Sequence, residues 1–256
     1  MSIGRTPGIT KAQQLEKMQR DWDARARENA RFYVATGNAE WSDEDFFASG
    51  EQAIAEDVLT DITNICQGKD PKAMRVLEIG CGAGRLTRAL ANLFGEVQAV
   101  DVSGEMIARA RKALAGHPNA QVYQNNGCDL TVVPPLARGE PRKAFWTPRW
   151  LARMAPPKWK IEFDFAYSNI VFQHIPSQEV IESYVREVHR LLRPGALFKF
   201  QVQGFPLEET QPDDTWTGVS FSDEQACAMA ERNHFEPRYR HGAGTQNFWL
   251  WYFKRP

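Results

Sequence analysis

The sequence lacks the features that would place the chain across a membrane or on a nucleic acid. None of its apolar runs approaches the roughly 20 residues needed to span a bilayer. The first residues also lack the apolar stretch of a signal peptide. Its 31 basic and 32 acidic residues leave a net charge of −1, so no overall field attracts nucleic acid or an anionic membrane. These absences predict a cytoplasmic protein with no nucleic-acid partner and no integral membrane contact.

Cysteine is scarce, and the four cysteines are widely separated. Cys66, Cys81, Cys128 and Cys227 form no C-x-x-C pair. This spacing is typical of reduced thiols in an intracellular protein and not of a disulfide framework or a zinc site. No acidic trio has the spacing of metal ligands either, so the sequence predicts no metal.

Alternating strands and helices begin near residue 74. Before that point, within residues 1–70, apolar residues recur at helical spacing, which predicts an N-terminal helical cap. Residues 71–256 then predict an α/β domain, namely a Rossmann-like, doubly wound, mostly parallel seven-stranded sheet that closes with a C-terminal antiparallel hairpin. Its first five strands are predicted at Met74–Ile79, Val97–Asp101, Gln121–Gln124, Phe163–Ser168 and Ala196–Val202.

Three alternating glycines follow the first strand, in the stretch VLEIGCGAGR of residues 76–85. Glycine tolerates a positive φ and lets a ligand approach the backbone. Ligands of doubly wound sheets bind at this carboxyl end of the strands. A dinucleotide loop of the form G-x-G-x-x-G would need glycine where Arg85 stands. Gly80, Gly82 and Gly84 are therefore predicted to bind a ligand, with an NAD(P)-dependent oxidoreductase as the less favoured alternative.

The segments EIGCGAG and AVDVSGEMIARARKAL together resemble the class I S-adenosylmethionine-dependent methyltransferases, in their small methyltransferase-domain group. The resemblance runs from about residue 74 to 203 and, more loosely, through the final hairpin. It implies a methyltransferase enzyme with S-adenosyl-L-methionine as its cofactor. It also implies that Gly80, Gly82 and Gly84 pass beside the methionine and ribose, that Glu78 orients the loop and the amino end, and that Asp101 accepts both ribose hydroxyls.

The same resemblance implies an adenine site and a sulfonium site. Val102 and Met106 would sandwich the adenine, although core packing is the alternative for Met106. Asp129, with Cys128 next to it, would meet the adenine amino group; the alternative is that Asp129 only stabilises a turn. The remaining two residues lie beside the expected sulfonium, where the chain leaves the fourth strand: Ser168 and Asn169.

The acceptor is predicted by elimination to be a small molecule methylated on O or N. A D/N-P-P-Y/F motif for base or amide nitrogens and a Pro-Cys nucleophile are both missing. His174 is the candidate catalytic residue, as an acceptor contact or general base, because imidazole titrates near neutral pH. The alternative is that His174 braces the helix starting at Ser177. A non-catalytic module that binds the cofactor or a partner also stays open.

Two further regions are predicted to lie near the acceptor. Trp22, Phe32 and Tyr33 of the cap are candidates to line its site, or they only attach the cap to the sheet. The insertion at residues 131–162 contains three tryptophans and, between Arg138 and Lys160, seven basic residues against one acidic residue. It is predicted to be a lid for an anionic or aromatic acceptor, or for one attached to a lipid surface. The alternative is a basic surface packed on the core or on a second subunit of an oligomer.

Overall fold

A computed structural model describes residues 10–134, 162–205 and 215–256. These residues contain one seven-stranded sheet with the order β3-β2-β1-β4-β5-β7-β6. Strands β1 to β5 pair in parallel, whereas β7 is antiparallel to both β5 and β6. The predicted fold class is confirmed. The strands are β1 (Arg75–Ile79), β2 (Glu96–Asp101), β3 (Ala120–Gln124), β4 (Phe163–Ser168), β5 (Leu192–Val202), β6 (Phe235–His241) and β7 (Phe248–Lys254).

The helices begin at the polar capping residues that the sequence supplies. The Ser103 hydroxyl accepts from the Met106 N–H at 3.1 Å, and Ser222 forms a capping box with Gln225. Each such cap satisfies N–H groups that the first helical turn leaves without a partner. The helices are α1 (Lys11–Val34), α2 (Asp43–Asp57), α3 (Ile62–Cys66), α4 (Arg85–Leu93), α5 (Gly104–Ala113), α6 (Gln178–Leu191) and α7 (Asp223–Arg232).

The sheet is covered on both faces, which is why its central strands are almost continuously apolar. Every residue of β4 is buried. One hydrophobic cluster joins the sheet to α6 and α7, and a second joins it to α2, α3, α4 and α5. With both faces closed, the ends of the strands are where the sheet can meet a ligand.

Strand β5 starts earlier than the sequence predicts. It begins at Leu192, directly after α6, and not at Ala196. Leu192 already pairs with Phe163 of β4, and the register then shifts before Leu197 pairs with Phe165. The Arg-Pro-Gly segment therefore lies inside β5 and interrupts its pairing with β4. The predicted start at Ala196 placed this segment before the strand.

Helix α1 is broken at Asn29, whose backbone is extended (φ −159°, ψ 84°). The Asn29 side chain stabilises the break, because its Oδ1 accepts from the Phe32 N–H at 3.1 Å and its Nδ2 donates to the Ala39 carbonyl at 2.9 Å. The short segment after the break brings Val34 against the glycine loop. The predicted N-terminal helices are thus present, and the first of them reaches the site.

Most of the predicted insertion, residues 135–161, lies outside the described residues. Its role as a lid stays a prediction. Among the described helices, none combines the length and the apolar character that crossing a membrane requires.

Candidate active site

A cleft of about 800 Å³ lies at the carboxyl ends of β1, β2 and β4. Helix α1 covers it from the other side, with Met18, Trp22 and Val34 on the wall. This is the position in which doubly wound sheets bind their ligands. The sequence-predicted residues on the wall of the cleft are Glu78, Gly80, Gly82, Asp101, Val102, Met106, Asn169 and His174.

Gly80 and Gly82 are required by the shape of the loop. Both have positive φ, 77° and 51°, a region that residues with a Cβ rarely adopt. A Cβ on Gly80 would lie 2.2 Å from Val171 Cγ2, and one on Gly82 would lie 2.6 Å from Val34 Cγ2. Bare backbone is therefore the only arrangement that leaves this part of the cleft open.

Gly84 packs against a neighbouring helix. It has φ 87° at the start of α4, and a Cβ there would lie 3.3 Å from the Ala110 Cα of α5. It is not among the residues on the wall of the cleft. Close packing of the loop against α5 explains this glycine, and its contact with the cofactor stays a prediction without a place on the wall.

Asp101 ends β2 with its carboxylate held by the backbone. Its Oδ2 accepts from the Gly82 N–H at 2.8 Å, and its Oδ1 accepts from the Ser103 N–H at 2.9 Å. Each oxygen keeps a second lone pair for a ligand. Desolvation raises the pKa of Asp101 to about 6, although the backbone hydrogen bonds oppose the shift. The geometry suits an acceptor for two hydroxyl groups.

Glu78 is 2% exposed, and its Oε2 has no hydrogen-bond partner within the described residues. Burial raises the pKa of this carboxyl to about 7, against the opposing effects of Thr87 and Arg85. An unpaired buried carboxylate oxygen is costly. A cationic amino group placed in the cleft would supply the missing donor.

Asn125 is a wall residue that the sequence reasoning missed. Its Nδ2 donates to the Tyr184 hydroxyl at 2.7 Å and to the Asp129 carbonyl at 3.1 Å. Its Oδ1 is buried and has no partner in the described part of the chain. The signal was its position directly after β3, because ligand residues cluster at strand ends.

Cys128 and Asp129 are not among the residues on the wall of the cleft. The Asp129 side chain instead bonds to Asn126 and to Thr131, which lowers its pKa against a partial desolvation that raises it. This is the turn-stabilising alternative, and the binding roles of both residues stay predictions.

Ser168 and Asn169 face different surroundings. The Ser168 hydroxyl is buried and donates to the Ile79 carbonyl at 3.0 Å, which ties β4 to β1; Ser168 is not among the residues on the wall of the cleft. Asn169 is on the wall, and its Nδ2 donates to Asp57 Oδ2 of α2 at 3.0 Å. The next residue, Ile170, has φ 56°. A β-branched residue rarely adopts this left-handed backbone conformation, because it is strained there. Strained backbone of this kind is concentrated at functional sites.

His174 lies on the wall of the cleft in a fixed orientation. Its Nδ1 lies 2.5 Å from the Trp216 carbonyl, which can only accept, so Nδ1 carries the hydrogen. A series of side-chain amides determines that the other ring nitrogen, Nε2, accepts a hydrogen bond. Gln201 accepts from the Ile170 N–H and donates to Gln173 Oε1 at 3.1 Å, which leaves the Gln173 Nε2 to donate to His174 Nε2 at 3.3 Å. The ring is thereby held as the neutral tautomer.

A second pocket lies beside the cleft, and we call it the side pocket. It shares Tyr33, Val34, Ile170 and His174 with the cleft. Two of the predicted cap aromatics, Trp22 and Tyr33, are therefore on the wall of the site. Phe32 is not among the wall residues and packs edge-on against Tyr33, with ring centroids 5.2 Å apart.

The cleft fits S-adenosylmethionine in its chemistry. That molecule has an amino group, a ribose diol and an adenine. Within the described residues, the cleft offers the unpaired oxygen of Glu78, the spare lone pairs of Asp101 and the unpaired oxygen of Asn125. Val102 and Met106 add apolar surface near the end of β2.

Comparisons with known proteins agree with this fit. Residues 77–198 match the model of the family described as "Methyltransferase domain". A curated relative, malonyl-[acyl-carrier protein] O-methyltransferase of Enterobacter lignolyticus (strain SCF1), is 29% identical over 126 residues, which are 49% of this chain. The match spans only 38% of that relative's length.

Solved structures resemble the fold over nearly its whole length. The DhpI–SAH complex has a TM-score of 0.58 at 18% identity and covers 96% of this chain and 100% of its own. Magnesium protoporphyrin IX methyltransferase (ChlM) from Synechocystis PCC 6803 with bound SAM has a TM-score of 0.59 at 13% identity, with 98% and 100% covered.

The fold, the site and the matched model together define a class I, S-adenosylmethionine-dependent methyltransferase domain. Residues 77–198 of this chain are that domain's matched part, and S-adenosylmethionine is its cofactor.

Proposed function

We propose that this chain transfers a methyl group from S-adenosylmethionine to an O or N atom of a small-molecule acceptor. The observation that carries the proposal is the side pocket, which adjoins the cofactor cleft and shares Tyr33, Val34, Ile170 and His174 with its wall. A methyl donor and a separate acceptor need two adjoining volumes of this kind. Location in the cytoplasm belongs to the same proposal.

The residues act mainly by positioning. Bound S-adenosylmethionine supplies an activated methyl group on its sulfonium. Glu78 holds the amino group of the cofactor and Asp101 holds its ribose, and the glycine loop lets it lie against the backbone. The side pocket holds the acceptor in line, and orientation alone can supply much of the acceleration in such a displacement.

His174 is proposed to contact the acceptor at the junction of the two volumes. With Nδ1–H fixed by the Trp216 carbonyl, only Nε2 can receive a proton. Acting as a general base would require Nε2 to exchange the Gln173 amide for the acceptor's own proton. His174→Ala should then lower kcat much more than cofactor affinity, whereas an unchanged kcat would mean that the ring only braces the loop.

The alternative of a dinucleotide oxidoreductase is disfavoured by the sheet as well as by Arg85. The dinucleotide fold has the parallel order 3-2-1-4-5-6, whereas here the antiparallel β7 lies between β5 and β6. Calorimetry with S-adenosylhomocysteine and with NADH tests this directly. We expect binding of S-adenosylhomocysteine alone; binding of NADH alone would overturn the proposal.

Turnover separates an enzyme from a module that only binds the cofactor. The purified chain is incubated with isotopically labelled S-adenosylmethionine and a panel of metabolites, and labelled product is detected by mass spectrometry. We expect a labelled O- or N-methylated product. Cofactor binding without any product across a broad panel would support the binding module.

A further inference from the structure

We propose that the side pocket takes an uncharged, planar acceptor, namely a hydroxylated aromatic or heteroaromatic ring system. This inference rests on the proposed function and specifies its substrate class. The reacting atom would lie near the junction with the cofactor cleft, beside Ile170 and His174.

The first observation is that the described wall of the side pocket carries no Asp, Glu, Lys or Arg side chain. Its polar groups are the amides of Gln173, Gln203 and Gln246, two threonine hydroxyls and the neutral His174. A carboxylate, phosphate or ammonium group buried here would lose its hydration without gaining an opposite charge, which costs several kcal/mol. An uncharged acceptor avoids that cost.

One described cation, Arg25, contacts an aromatic residue of the pocket wall but is itself engaged by other groups. The Arg25 guanidinium lies 5.3 Å from the Trp216 ring centroid. It donates from Nη1 to the Thr215 carbonyl at 3.0 Å and to the Thr215 hydroxyl at 3.1 Å. It also faces Asp21, whose pKa it helps to lower against partial desolvation. Arg25 therefore contacts the Trp216 ring and is not among the described residues of the pocket wall.

The second observation is the aromatic wall. Tyr33 and Trp216 meet edge-on at 87° with centroids 5.7 Å apart, and Trp216 lies 5.0 Å from the His174 ring. Trp216 is 38% exposed. A flat ring can stack or pack edge-on against such a surface and gain about 0.5–1.5 kcal/mol beyond the area it buries.

The third observation is the amide of Gln203. The residue is only 7% exposed, and no hydrogen bond of its side chain is found within residues 10–134, 162–205 and 215–256. An amide offers both donors and an acceptor. It therefore matches a neutral hydroxyl, carbonyl or ring nitrogen, and the exposed Gln246 offers a second such group at the pocket wall.

The test uses a matched pair of fluorescent probes, 6-hydroxy-2-naphthamide and 6-hydroxy-2-naphthoate. They share one planar hydroxylated ring system and differ in the charge of one substituent. Each is titrated into the full chain saturated with S-adenosylhomocysteine, and methyl glucoside serves as a neutral, non-planar control. We expect the amide to bind at least about tenfold more tightly than the carboxylate, since desolvating the charge costs more than about 1.4 kcal/mol.

A positive charge introduced at the pocket should reverse the preference for the naphthamide over the naphthoate. Gln246→Lys is made at an exposed position, so that folding is not at risk, and should favour the naphthoate. Gln52→Lys, the same change on the exposed side of α2, is the control and should leave the preference as in the parent. Gln203→Leu should weaken the naphthamide by about tenfold, with S-adenosylhomocysteine affinity unchanged.

The outcomes are distinguishable from failure of the proposed function. A chain that binds S-adenosylhomocysteine but takes the naphthoate or methyl glucoside as well as the naphthamide overturns the inference alone. Absence of naphthamide binding to the loaded chain does the same. A chain that does not bind S-adenosylhomocysteine overturns the proposed function on which the inference rests.

Discussion

At the scale of single residues, two carboxylates decide how the cleft responds to pH. Glu78 and Asp101 are both desolvated, with pKa values raised to about 7 and about 6. An amino group and ribose hydroxyls favour the ionised carboxylates, so ligand binding lowers both pKa values. Affinity for S-adenosylhomocysteine is therefore complete above about pH 7 and is lost as the pH falls through about 7 and then about 6.

Calorimetry of S-adenosylhomocysteine across that pH window checks this prediction. Asp101→Asn should weaken binding by about a hundredfold at neutral pH, since hydrogen bonds to a charged group are worth about 1.5–3 kcal/mol each. It should also remove the lower of the two pH steps. An affinity that stays constant as the pH falls would show that neither carboxylate holds the ligand.

Variants of Asn125 and Asp129 together test which of the two residues binds the adenine of the cofactor. Asn125 contributes a buried, unpaired oxygen to the wall, whereas the Asp129 side chain is satisfied within its own turn. Asn125→Ala should weaken S-adenosylhomocysteine by about tenfold. Asp129→Asn, the control, should leave the affinity unchanged. The reverse result would restore the sequence-based choice of Asp129.

The choice between Asn125 and Asp129 depends on structure that the local sequence does not show. In NNGCDL, residues 125–130, the sequence offers several side chains within a few positions, and spacing alone does not say which of them turns toward the ligand. That choice depends on Gly127, which has φ 84°, and on Tyr184 of α6, which takes one of the Asn125 amide hydrogens. Tyr184 is 59 residues away from Asn125 along the chain, so the local sequence pattern cannot predict this contact.

At the scale of elements, the sequence predicted what depends on local patterns. The bounds of β4 agree with the prediction, and β1, β2 and β3 each begin one residue from the predicted start and end where predicted. The break in α1 was missed because Asn29 stands in an otherwise regular helical pattern, and its partner, the Ala39 carbonyl, lies outside the helix. The early start of β5 was missed for a similar reason, since it depends on pairing between Leu192 and Phe163.

The prediction at the scale of elements concerns helix α1 and its contribution to the site. It brings Val34 against Gly82 and contributes Trp22 and Tyr33 to the site, while Asp23 accepts from the Ser103 hydroxyl at 2.6 Å. Deleting residues 1–40 should therefore abolish turnover and weaken cofactor binding before it abolishes the sheet. The check combines turnover, calorimetry and thermal unfolding followed by circular dichroism. A truncated chain with full activity would rule out the cap.

A point change tests the same helix more gently. Asn29→Ala removes the cap on the Phe32 N–H and should cost about 1 kcal/mol of stability. The break in α1 sets the positions of Val34 and Tyr33 on the wall of the site. The KM for the acceptor should therefore rise by more than the loss of stability alone explains. Glu16→Ala, at an exposed position in the same helix but before the break, is the control and should leave KM unchanged.

At the scale of the whole molecule, charge is what separates two accounts of the acceptor. The chain is nearly neutral overall, and the described wall of the side pocket carries no formal charge. The sequence nevertheless contains a basic segment between Arg138 and Lys160, which lies outside the described residues. The first two facts favour a neutral acceptor, whereas the basic segment prompted the expectation of an anionic one.

Ionic strength distinguishes the two accounts, because salt screens the attraction of exposed charges for an anion and leaves a neutral ligand unaffected. For the acceptor identified by turnover, we expect KM to change less than about twofold between low and high salt. The quadruple neutralisation of Arg142, Lys143, Arg149 and Arg153 should then leave KM unchanged as well. A KM that rises steeply with salt in the parent and loses that response in the quadruple variant would show that an anionic acceptor is drawn in by the basic segment. That result would contradict the neutral pocket while leaving the methyl transfer itself intact.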